Sequence, residues 1–245
     1  MEHHEPWLTA LFNDYFANIA NAVLALFGTH AANPLRPWST PLAMEIMVVL
    51  LIMVVFAILR AGLSMDKPGI LQHLFELIYG FLKEQAEENI GHSAHKYLAF
   101  FGTLFIFILF ANLLGIIPTF ESPTMFPEVP CGLALMAFAY YNWAGMRAQG
   151  VFKYLGHFAG PMPILAPLMI PIEIISNLAR PLSLTVRLYA NMYAGEQVFL
   201  VFLGMVKVGA VVFMALHVFV GFLQAYVFTL LAMIYVAGAV AHEEH

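Results

Sequence analysis

Deep inside the apolar last third of the sequence lie side chains that carry charge or move protons. Glu173, Asn177, Arg180, Arg187 and Asn191 fall at offsets of 0, 4, 7, 14 and 18, the spacing of one stripe along a helix. Ser176 and Ser183 flank that stripe. A charged arginine inside a bilayer costs at least a few kcal/mol (~3 on insertion scales), so it must face water, protein or a counter-ion. Arginine keeps its proton in a protein and cannot relay one, so Arg187 can act only as a fixed cation. Such a cation repels a proton moving straight through and stabilises the ionised form of any carboxylate brought beside it. His217 and Gln224 are seven residues apart, two helical turns, with Gly221 between them on the same face. Glu196 follows Arg187 by nine residues, about 13 Å along a helix axis at the helical rise. Glutamate and histidine titrate in a useful range when partly buried. Proton-carrying groups on both sides of a fixed cation describe two half-pathways that do not connect directly. Pro181 adds a further expectation: it cannot donate to the Asn177 carbonyl, which must find another partner.

The elements that hold these residues follow from composition. The chain of 245 residues is 62% hydrophobic and 10% charged, with a net charge of −5 and a mean hydropathy of +0.82. Those values exclude an ordinary soluble domain and point to several membrane-spanning helices. The absence of polar and apolar alternation excludes a closed barrel. Cys131 is the single cysteine, so an internal disulfide is excluded and no thiolate metal site is expected. The expected fold is an all-α integral membrane protein of about five crossings, the last two long and tilted, plus interfacial amphipathic helices. Residues 1–40 read as an N-terminal interfacial segment, with an amphipathic helix over 6–28 that carries Thr9, Asn13, Asp14, Asn18 and Asn21. Residues 41–245 read as the transmembrane domain. Its crossings are expected at Leu42–Leu63, Tyr97–Ile117 (the clearest), Cys131–Met146 (short or tilted), Ala166–Val206 and Val208–Ala241. Gly69–Asn89 carries Glu76, Lys83, Glu84, Glu87 and Glu88 and is expected on a surface.

Basic residues set the orientation. Arg60, Lys67, Lys83 and Lys96 follow the first crossing and Arg147 and Lys153 the third, whereas 118–130 holds Glu121 and Glu128 and no basic residue. The N-terminus is therefore expected outside and the C-terminus in the cytoplasm. Glu196 and His217 then lie toward the outside, Glu173 and Asn177 toward the cytoplasm. The start, Met-Glu-His-His-Glu-Pro, lacks the basic region of a secretory signal and is expected to be retained. No transit segment is visible, which favours a bacterial inner membrane.

Plainer readings stand beside these. Arg187 can be an ion-pair partner of Glu173 or Glu196, and Asn177, Asn191 and Gln224 can be interhelical hydrogen bonders. His92 with His95, and His242 with His245, have metal-like spacing but read as solvated histidines. No phosphate-cradling loop, cofactor or metal is expected.

The segment Ser183-Leu-Thr-Val-Arg187-Leu-Tyr-Ala-Asn191-Met-Tyr-Ala-Gly-Glu196 resembles the signature of the a subunit of rotary, F-type ATP synthases. Asn112-Leu-Leu-Gly-Ile-Ile-Pro118, His217 with Gln224-Ala-Tyr-Val-Phe, and the closing Ala241-His-Glu-Glu-His245 extend the resemblance from about residue 40 onward. It implies a non-catalytic stator that passes protons to a rotating c ring, held by the b subunit of the peripheral stalk in membrane lipid, with no nucleic acid involved. By the same resemblance Arg187 faces the rotor carboxylate. Glu196, Asn191, His217 and Gln224 line the external half-channel, and Glu173, Asn177 and Ser183 the cytoplasmic one. Glu128 stands near an acidic position of the family, but Glu128-Val-Pro-Cys-Gly lacks the family's following Asn and Thr. Two other functions stay open: a proton-coupled carrier with Arg187 on an anionic substrate, and a haem protein using His217.

Overall fold

The computed structural model describes residues 6–26, 28–31, 33–65, 67–117, 120–157, 166–205 and 207–241. These form α1 (Trp7–Leu26), α2 (Thr40–Ala61), α3 (Ile70–Ile90), α4 (Leu98–Leu114), α5 (Glu128–Gln149), α6 (Val151–His157), α7 (Ala166–Met205) and α8 (Lys207–Val240), with 3-10 turns at Gly91–Lys96 and Pro123–Met125. No strand occurs among the described residues, so the all-α class holds. His242 and His245 lie outside the described residues.

Local chemistry explains the helix limits. Pro41 sits in the first turn of α2, where its missing N–H costs nothing. Gly62 ends that helix by donating to the Ile58 and Leu59 carbonyls, with Arg60 favourably placed against the helix dipole. Thr40–Ala61 and Val211–Val240 are long and apolar enough to cross a membrane, and Leu98–Leu114 is a shorter apolar helix. The expected Tyr97–Ile117 span is thus shortened. At its C-terminal end the chain folds back tightly, and a Cβ on Gly115 would stand 2.9 Å from Ser122 Cβ. The Cys131–Met146 element is instead longer than expected at 22 residues, because Pro130 is absorbed into its first turn. At 40 and 34 residues, α7 and α8 measure about 60 and 51 Å, well beyond a hydrocarbon core of about 30 Å.

The core lies where α4, α5, α7 and α8 meet. Leu184, Leu188 and Met192 form the inner stripe of α7 and Ala225, Phe228, Ala232 and Val236 that of α8, packed with Phe101, Phe105 and Ile108 of α4 and Ala134 and Ala137 of α5. Alanines on these stripes let the backbones approach closely, which is how helices associate when lipid removes the hydrophobic drive. A second cluster joins Leu8 of α1 to Met44 and Val48 of α2 and Ala111 and Leu114 of α4.

The polar stripe of α1 does not behave as one wet face. Thr9 and Asn13 are buried, and Asp14 and Asn18 are exposed. Asn13 accepts from the Trp38 N–H at 2.9 Å and donates to the Trp38 carbonyl at 3.3 Å, while Asn21 donates to the Pro34 carbonyl at 2.7 Å. These amides hold the following connection against the helix. α3 keeps the exposed character expected of it, burying only Leu82 and Ala86, and touches α8 where the Tyr226 hydroxyl donates to Gln85 at 3.1 Å.

Candidate functional site

Arg187 sits at a border on α7. On one side run the core residues Leu184, Leu188 and Met192; on the other run Ser183, Ala190 and Ala194, all exposed. The arginine is half-buried between them. Among the described residues its guanidinium makes no ion pair with a carboxylate. The plainer reading in which Glu173 or Glu196 neutralises it therefore does not hold.

Toward the C-terminal side of Arg187, α7 and α8 share polar contacts. Asn191 Nδ2 donates to Gln224 Oε1 at 2.7 Å. Gly195 lies against His217, and a Cβ built on it would stand 3.3 Å from His217 Nδ1. Glu196, next in sequence, is half-buried. Both His217 and Gln224 are buried, at 7% and 4% exposure. Asn112 of α4 donates to the Gly221 carbonyl at 2.9 Å, between those two residues. Thr124 donates to Asn112 Oδ1 at 2.6 Å, and Ser122 lies 2.7 Å from Thr124. A buried polar chain thus runs from the 120–127 connection into the α7–α8 contact.

Toward the N-terminal side the partner is α5. The Tyr141 hydroxyl donates to the Asn177 side-chain oxygen and lies 3.4 Å from the Asn177 carbonyl. That carbonyl is the one Pro181 leaves without its helical donor, so the partner demanded by the sequence is Tyr141. Arg180 stacks over the rings of Tyr235 and Tyr141 at 5.3 and 5.9 Å. Gly150 takes φ 84°, a left-handed conformation that glycine adopts freely, and turns the chain into α6. Tyr154 then donates to Asn142 at 2.9 Å. On α6, outside the long helices, burial raises the pKa of the Tyr154 hydroxyl, the Arg180 charge lowers it and the Glu173 charge raises it.

The structure therefore joins Asn191 with Gln224 and brings His217 beside Gly195, while Asn177 is drawn to α5. Ser183 stands exposed, apart from these contacts. Spacing alone did not reveal Tyr141, Tyr235, Ser122 or Thr124. Only the orphaned carbonyl below Pro181 signalled that a donor was needed. Among the described residues no group of three or more His, Cys, Asp or Glu side chains is arranged to hold a metal ion.

The family model described as ATP synthase A chain matches residues 42–237. The chain is 63% identical to ATP synthase subunit a of Solibacter usitatus, over 95% of its own length and all of the relative's. It is 47% identical to ATP synthase subunit a of Koribacter versatilis over 98% of both chains. With ATP synthase subunit a of Aquifex aeolicus it shares 37% identity over 77% of its length and 91% of the relative's.

Proposed function

The chain belongs to the ATP synthase A chain family, and from that premise we propose that it is the stator subunit that offers a rotor two offset proton half-channels separated by Arg187. It is an integral, non-catalytic membrane-sector subunit of an ATP synthase in a bacterial-type membrane. The observation that carries the finer reading is Arg187 itself: a permanent cation, half-buried in α7, unpaired with any described carboxylate and bordered by an exposed track of small residues. Ser183, Ala190 and Ala194 let another helix approach closely, so the missing counter-charge is a carboxylate on a passing c-ring subunit.

A proton enters from outside past Glu196 and His217, with Asn191 and Gln224 fixing the facing surfaces of α7 and α8. It reaches a rotor carboxylate, travels round with the ring, and leaves toward the cytoplasm past Asn177 and Glu173, with Ser183 on the rotor side. Arg187 holds each arriving carboxylate ionised, which makes it give up its proton on the release side, and blocks direct passage. Five crossings, the N-terminus outside, the C-terminus in the cytoplasm and anchorage by the b subunit complete the arrangement. Membrane vesicles containing the assembled complex test it. Arg187→Ala abolishes ATP-driven acidification while assembly persists, and passive proton leak rises as the insulation is lost. Normal pumping by Arg187→Ala would overturn the mechanism.

A further inference from the structure

Arg180 takes no part in that mechanism, yet it is the second cation of the α7 stripe and its setting is built from three helices. Its guanidinium carbon lies 5.3 Å from the ring centroid of Tyr235 on α8 and 5.9 Å from that of Tyr141 on α5. Aromatic faces attract a cation, arginine or lysine, and a planar guanidinium adds stacking to that attraction. Tyr141 is itself pinned by its hydroxyl to Asn177, so one wall of the seat is fixed to the helix that carries the arginine. Arg180 stands seven residues from Arg187 and seven from Glu173, about 10.5 Å from each at the helical rise. It thus stands between the levels of Arg187 and Glu173 on one stripe of α7.

We propose that Arg180 is a positioning residue of the inner half-pathway: a fixed charge, seated by Tyr141 and Tyr235 midway between Arg187 and Glu173, that sets the cytoplasmic pH at which protons enter and leave. The inference rests on the half-channel reading of Arg187. The titratable groups that face Arg180 are Glu173 on its own helix, Tyr141 on α5, Tyr154 on α6 and Tyr235 on α8. Because arginine does not titrate near neutrality, its charge stands on the inner half-pathway at every working pH and opposes the approach of a proton from the cytoplasm.

Inverted membrane vesicles place the cytoplasmic side in the bath, so the initial rate of ATP-driven pumping is measured against bath pH for the assembled complex. Arg180→Gln is expected to move the alkaline limb of that profile to higher pH and to leave passive leak at the wild-type level. Arg180→Lys, which keeps the charge, leaves the limb where wild type has it. An assembled Arg180→Gln with an unmoved limb, whatever its amplitude, overturns the proposal. Where Arg180→Gln does not assemble, Arg180→Met carries the same test. Failure of both neutral variants to assemble while Arg180→Lys assembles would assign the charge to folding and also overturn it. Arg187→Ala run in parallel separates the two claims. If it pumps normally, the half-channel reading fails; if it is inactive while the Arg180→Gln limb is unmoved, only the role of Arg180 fails.

Discussion

Gly195 and His217 are in contact across the α7–α8 seam, where a Cβ would come to 3.3 Å from the imidazole. Gly195→Ala asks the ring to give by a few tenths of an ångström. Gly195→Val overpacks the seam and is expected to cost about 1–3 kcal/mol, read as a lower unfolding temperature of the purified complex together with loss of pumping. An alanine variant as damaged as the valine variant would show that the seam does not relax as this geometry requires. His217, Gln224 and Asn191 were legible in the sequence because helical periodicity alone put polar groups on facing stripes. Asn112 appeared only within a motif, and its bond to Gly221 spans 109 residues, a contact that no periodicity reports. Ser122 and Thr124 were hidden for the same reason: small hydroxyls in a turn read as ordinary connection chemistry until the chain folds back onto α4.

Pro181 interrupts the hydrogen-bond ladder of α7 and Tyr141 restores it from α5. Tyr141→Phe leaves the buried Asn177 oxygens without that donor and is expected to cost about 1–3 kcal/mol. In a Pro181→Ala background the backbone N–H returns and supplies the carbonyl, so the same Tyr141→Phe change is expected to cost about 1 kcal/mol less. Equal costs in both backgrounds, by thermal or denaturant unfolding of the complex, would show that the tyrosine is not compensating for the proline. Helix identities and most limits were readable from apolar runs and their Pro and Gly boundaries. The stripe of α1 did not tell which of its amides bond to the following connection, because an amide that binds a neighbouring backbone looks, in sequence, the same as an amide that faces water. Pro130 misled similarly, since a proline in a first helical turn and a proline in a connection are the same residue with the same missing donor.

Leu35, before α2, and Met65, after it, are both highly exposed, at 81% and 101%. One crossing between them puts them on opposite sides of the membrane. With Cys131→Ser as background, Leu35→Cys is expected to react with an impermeant maleimide added to cells with a permeabilised outer envelope but an intact inner membrane, and Met65→Cys only after that membrane is opened. Labelling of both from the same side would refute the assigned orientation. Family and membrane class were legible because the Arg187 signature is dense in rare intramembrane polar residues. The packing of one helix against another was not legible, because every apolar face looks alike to a hydropathy plot.

The bonds along α8 have a mechanical consequence. Asn112 of α4 holds Gly221, Asn191 of α7 holds Gln224, and Gln149 of α5 donates to the carbonyls of Ala239 and Ala241 at 3.0 and 2.8 Å. Three separate helices thus grip one beam at points spread over about 18 residues, or about 27 Å at the helical rise. A beam tied at one point would pivot under a sideways load on α7. Tied at three, it passes such a load into the neighbouring helices, so the spacing of Asn191, His217 and Gln224 is held.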